Sequence, residues 1–354
     1  MAVHFDRSRM AEAIENHEKW WDHKLGRPLA FIEINNAHER PESKYPLLSQ
    51  ANCHDLTVDP EQIIVTYDNF LSGMEWMGDG FPHMDLDRFG PGIVAAFCEG
   101  AVLDNSSGRV WFFPAEKKHI RDVHAVYNPE NKWARRIKEI IKTGVEVWDG
   151  KVLIGMPDLG GVMDIAASLV GTEDLLVYLI EEPDEVTRLL SEIQTAWYAA
   201  FDDMASVLAP QGAFTDWGLA VSKEPSYIIQ CDFSAMISPE MFREFALDDL
   251  RYDTERLSNS MYHLDGPQAI RHLNALLELD KLKSIQWIYG AGSPRPMYWL
   301  DLYKKIAAAG KLNVILGTPD EYLAVLGEIH GTPFGIHRLK ASETDLARTI
   351  IEAR

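Results

Sequence analysis

Four apolar runs near the C-terminus set the tightest limit on the fold. They begin at residues 260, 284, 312 and 334, as SMYHLDG, SIQWIYGAG, LNVILG and FGIHRLKA. Each is short and rich in β-branched or aromatic residues, and each leads into a helix-length amphipathic stretch (269–279, 297–310, 319–330 and 343–354). Steps of 22–28 residues between the starts leave room for strand, turn, helix and turn, which is the repeat of a βα unit. Four earlier runs extend the count to eight: PLAFIEI (28–34), FPHMDLD (81–87), KVLIGMPDLGG (151–161) and QGAFTDWG (211–218). Eight units predict an α/β protein of the (β/α)8 TIM-barrel type, with the whole chain, 1–354, as one domain. Residues 184–209 read as a long helix, and AVLDNSSGRVWFFP (101–114) as a hairpin turning at DNSSG. Residues 35–130 then read as a barrel start with large insertions near its mouth. The rival, an open doubly wound sheet, would place a glycine-rich phosphate loop after its first strand. The segment there, INNAHERPESKYP, has no glycine.

Charge and cysteine content narrow the partners. A net charge of −20 excludes nucleic acid and anionic membrane surfaces, which need a basic face. No apolar run is long enough to span a bilayer, and the polar N-terminus is no signal peptide. Cys53, Cys98 and Cys231 form no CxxC pair, so a reducing, cytoplasmic setting is expected. A homodimer is kept open.

In a barrel, chemistry sits where the strands end. The carboxyl ends collect Glu33 and Asn35, Asp85 and Asp87, Asp158, Asp216 and Trp217, His263 and Asp265, Gln286 and Trp287, and His337 with Arg338. Strand residues two apart face the same side, so His263 and Asp265 share one centre. His-x-Asp before Gly-Pro, on an otherwise apolar strand, is the sharpest of these signals. Its two readings are a metal site and a His–Asp acid/base pair. Trp217 and Trp287 are candidate walls for a flat or cationic substrate, with Gln286, Tyr289, Asp158 and Asn35 as further contacts. Glu33 and Asp216 join His263 and Asp265 as catalytic candidates. The glycine pair of GMPDLGG permits close approach of a ligand or serves a tight turn.

SMYHLDGPQAIRHLNALLEL with SIQWIYGAG resembles the fifth and sixth βα units of the uroporphyrinogen decarboxylase-like superfamily. CDFSAMISPEMFREFAL (231–247) is similar to that superfamily's Ser-Pro-Glu-x-Phe segment after the fourth strand, and NVILGTPDEYL (313–323) to its seventh strand and turn. The resemblance runs from about residue 150 to the end. It implies the barrel already read from the spacing, and either decarboxylation or zinc-dependent methyl transfer to or from a corrinoid protein. The decarboxylases carry an arginine-rich loop after the first strand. Here Arg40 is that loop's only arginine. The methyltransferases hold zinc through His-x-Cys after the fifth strand and a Cys at the eighth. Here the matching residues are His263, Asp265 and, near the third position, His337. Exchanging thiolates for harder donors implies a more Lewis-acidic ion, suited to an oxygen leaving group. The expected function is therefore a methyltransferase that demethylates a small oxygen-linked donor and passes the methyl group to a corrinoid supplied by a partner protein. The alternatives are a decarboxylase of a small carboxylated substrate, a glycoside-active barrel, and a non-catalytic barrel that binds a corrinoid protein.

Overall fold

The computed structural model describes residues 2–353. Among these it has eleven strands: β1 (Leu29–Asn35), β2 (Glu75–Gly78), β3 (His83–Met84), β4 (Ala101–Asp104), β5 (Trp111–Pro114), β6 (Leu153–Ile154), β7 (Ser226–Gln230), β8 (Asn259–Asp265), β9 (Ser284–Ile288), β10 (Leu312–Ile315) and β11 (Phe334–Lys340). The main sheet runs in the order β2-β1-β11-β10-β9-β8-β7. All its pairings are parallel except β1 with β2. β3 and β6 form a separate parallel pair, and β4 and β5 the expected hairpin. The last four strands fall where their spacing places them, because each apolar run is bounded by glycine, proline or charge. The long helix is Pro183–Leu208. One continuous hydrophobic cluster extends from Val3 to Ile350. Among the described residues no helix is long and apolar enough to cross a membrane.

The expected closed barrel is corrected at two places: the strands form no closed ladder, although the fold is α/β and its sheet is mostly parallel. At the first, antiparallel β2 occupies the free edge of β1, from Phe31 opposite Gly78 to Ile34 opposite Glu75. The buried carboxylate of Asp79 then accepts from the Ala30 amide (3.0 Å) and forks onto Arg27 (2.7 and 2.8 Å), so β3 makes no ladder with β1. At the second, the run QGAFTDWG is no strand. Phe214 bridges back to Ser222 in an antiparallel sense, with Leu219 at a φ of 63° in the turn between them. The strand beside β8 is instead SYIIQ, which sequence reasoning passed over. The Asp216 carboxylate joins the two segments, accepting from the amides of Gly218 and Ile228 (both 2.8 Å). A single backbone bond, Met156 to Thr215 (2.8 Å), ties this region to the end of β6.

Candidate metal centre and its cavities

Pairing register builds the site. Gln230 on β7 lies opposite His263 on β8, which lies opposite Gln286 on β9. These three form one row across the sheet. One layer further along, Asp265 ends β8, and Asp232 follows β7. Asp232, His263 and Asp265 each offer a ligand atom, and these atoms lie within 4.8 Å of one another. His263 Nδ1 is 2.6 Å from Gln286 Oε1. A carboxamide oxygen only accepts, so Nδ1 carries the hydrogen and Nε2 keeps its lone pair. Burial lowers the His263 pKa, which favours that neutral form. Trp217 sets its ring edge-on to His263 at 4.8 Å.

Asp232 is held by its backbone. The half-buried Asp164 carboxylate accepts from the amides of Asp232 (3.0 Å) and Phe233 (2.7 Å). Asp164 lies in the first turn of the helix Val162–Val170, which starts directly after Gly161. A Cβ on Gly161 would collide with the carbonyl oxygen of Gln230, so the second glycine of GMPDLGG lets this helix close against β7. Close packing of chain on chain accounts for that glycine. Asp232 keeps contact with solvent at the mouth, yet the walls around it push its carboxyl up to about 7, with Asp265 adding to the shift.

A cavity of about 250 Å³ opens beside this group, lined by His263, Asp232, Asp158, Asp87, Trp217 and Gln230 among others. Burial raises Asp87 to about 6 and Asp158 well above the usual carboxylate range. Trp217 and Asp87 also line a second space, of about 330 Å³, with Glu33, His83, Asp85, Arg88 and Arg338. Glu33 there accepts from Arg338 Nε at 2.9 Å. A larger cleft, of about 520 Å³, lies on the other side of Asp232, under the β4–β5 hairpin.

The structure thus brings together His263, Asp265, Gln286, Trp217 and Asp158, and places Glu33 one cavity away. It adds Asp232, which sequence reasoning missed as a ligand. The available signal was Gln-x-Asp at 230–232, the same two-residue spacing as His263-x-Asp265. Other expectations are corrected. His337 is buried outside the ligand group, edge-on to the Tyr322 ring at 4.7 Å, with its pKa lowered to about 4 by burial. Trp287 is fully buried and packs on Trp299 at 5.0 Å, because neighbouring strand residues face opposite sides and Gln286 takes the inner one. Asp216 serves the backbone, and burial raises it to about 7. Asn35 reaches the Leu339 carbonyl at 3.5 Å, and Tyr289 lies under Arg295 at 5.6 Å. Neither lines the cavities beside the ligand group.

The chain matches no protein-family model and no curated protein. Its fold is similar to that of a solved structure, a methyltransferase from Methanosarcina mazei, with a TM-score of 0.57 and 14% identity over 88% of this chain and 94% of that one. At that identity the likeness is one of fold.

The donor set fits a divalent cation. Two carboxylates and a neutral imidazole whose second nitrogen is already hydrogen-bonded match the usual pattern of a catalytic metal site, in which three protein ligands leave one position open.

Proposed function

We propose that this protein is a metal-assisted methyltransferase. It removes a methyl group from a small oxygen-linked donor and delivers it to a corrinoid carried by a partner protein. The observation that carries the reading is the Asp232–His263–Asp265 group at the strand ends, within a fold similar to that of a methyltransferase. A divalent ion such as zinc, when bound by these three residues, supplies the positive charge that stabilises the departing oxygen as its anion. The chain's own residues do the rest. Gln286 fixes the His263 tautomer, Trp217 holds the imidazole ring in place, and Asp164 fixes the backbone of Asp232. The cavity beside the group orients the donor. Three free, buried cysteines suit a reducing, cytoplasmic compartment.

The test joins metal content to turnover. Purified protein should carry close to one divalent ion per chain. Asp232→Ala should lose it, and His337→Ala should keep it. With the ion present, a methoxylated donor and cob(I)alamin should give the absorbance change of methylcobalamin. Metal-free protein that is fully active, or retention of the ion by Asp232→Ala, would refute the assignment.

A further inference from the structure

The 330 Å³ cavity at the ends of β1, β3 and β11 takes no part in the chemistry described so far. Trp217 and Asp87 stand in the wall it shares with the cavity beside the metal group. Charges of both signs meet in it: Glu33, Asp85 and Asp87 against Arg88 and Arg338. Arg88 lies 3.6 Å from the Asp85 carboxylate and 3.3 Å from that of Asp87. The pair of Glu33 with Arg338 is built differently. Glu33 is 5% exposed and meets Arg338 only through Nε, at 2.9 Å. Among the described residues, the two terminal nitrogens of Arg338 have no hydrogen-bond partner, and neither has Oε2 of Glu33. That oxygen is not sealed in, and its residue lines this cavity. A guanidinium held through Nε keeps its end edge free, a fork of two donors that matches a carboxylate. A nearly buried carboxylate oxygen without a donor calls for one, and an ammonium group meets it best. The carboxylates here outnumber the arginines, and His83 adds no charge because burial lowers its pKa. Phe70 and Leu71, at the end of the helix Pro60–Leu71, and Met74 supply an apolar part of the wall.

We infer that this cavity binds a free α-amino acid with an apolar side chain. The ligand's carboxylate lies on the end edge of Arg338. Its ammonium group lies between Glu33 Oε2 and the Asp85 carboxylate, and its side chain against Phe70, Leu71 and Met74. The volume holds one such molecule. A plain anion meets Arg338 but faces the surplus carboxylates, and a plain cation leaves the Arg338 fork unmet. The site goes beyond the methyltransferase reading and does not rest on it.

The experiment measures binding alone. Calorimetric titration of the full chain, with and without zinc, should show binding of at least one of leucine, methionine and phenylalanine. The analogue of that amino acid without its ammonium group, and the one without its carboxylate, should each bind roughly tenfold more weakly or worse. Glycine, which has no side chain to bury, should do the same. Arg338→Gln changes a side chain that is more than half exposed. It should weaken the amino acid by a similar factor, leave the decarboxylated amine unchanged and keep metal binding. Glu33→Gln retains an acceptor for Arg338 and should weaken the amino acid while leaving the deaminated acid unchanged. Near-ultraviolet circular dichroism checks that both variants are folded. The inference is overturned if none of the three amino acids binds at millimolar concentration, if either analogue binds as tightly as its amino acid, or if Arg338→Gln leaves affinity unchanged. Amino-acid binding by a chain that holds no zinc or transfers no methyl group supports the cavity and overturns only the function proposed above.

Discussion

Gln286 tests the metal centre without touching the ligands. Its Oε1 accepts from His263 Nδ1 at 2.6 Å, and it is 3% exposed. Gln286→Leu keeps the volume and removes the acceptor. The Nδ1–H is then buried without a partner, at a cost of about 1–3 kcal/mol. The ring escapes that cost by moving its proton to Nε2, which takes the lone pair away from the ligand group. At about 1.4 kcal/mol per tenfold, the loss should appear as roughly 10–100-fold weaker metal binding. Gln286→Glu should act in the opposite direction. A carboxylate accepts the same hydrogen more strongly and adds negative charge, so affinity should rise by roughly tenfold. The assay is a zinc or cobalt titration against a competing chelator at neutral pH, with thermal melts of the metal-free proteins to monitor the fold. Equal affinity in all three proteins, or a change of the same sign in both variants, would show that His263 is not oriented by Gln286 for a metal.

Two further expectations follow from residues that left the site. Trp287→Ala should cost about 3–5 kcal/mol of stability by opening a core cavity, measured by denaturant titration, while changing ligand affinity by no more than roughly twofold. The Asp216 carboxyl has its pKa raised from 3.8 to about 7, so the folded state holds its proton over a window in which the unfolded state has lost it. Its contribution is intact below about pH 4 and is lost as pH rises towards 7, on the order of 4 kcal/mol in all. Asp216→Asn should flatten that decline in urea titrations of metal-free protein. The variant, short of one backbone acceptor, should be less stable than the parent at pH 4.5 and more stable at pH 8. Parallel curves for the two proteins would refute the assignment.

The sequence was most legible where one signal dominated. β8 to β11 are apolar runs with sharp ends, so their number, spacing and direction followed from period and punctuation. The hairpin at 101–114 showed its turn residues in the same way. Legibility failed where two strand-like runs compete within twenty residues. QGAFTDWG and SYIIQ are both plausible strands, and their order in the sheet depends on where the Asp216 carboxylate goes, a tertiary fact. That displacement concealed Asp232, whose place on the metal group depends on β7 lying beside β8. Trp287 was a different error. The same alternation that pairs His263 with Asp265 forbids Gln286 and Trp287 from sharing a face, so the inward Gln could have excluded the Trp. His337 faces the wrong partner for a reason the strand pattern does not hold, namely the Tyr322 ring beside it.

Asp79 and Asp216 leave the wall of the fold with two joints in which a side chain replaces a run of backbone bonds. Such joints open at lower free energy than the ladders beside them. The Asp216 joint lies between β6, which leads to Asp158, and β7 and β8, which lead to Asp232 and His263. The two flanks of the cavity meet there through side chains: beside the Asp216 carboxylate, Tyr227 Oη accepts from the Leu159 amide at 2.7 Å and the Asp164 carboxylate holds the amides of Asp232 and Phe233. Hydrogen exchange should find the amides of Gly218 and Ile228 less protected than those within the β8–β9 ladder. The width of the cavity between Asp158 and the ligand group thus rests on side-chain bonds where its other wall rests on a ladder.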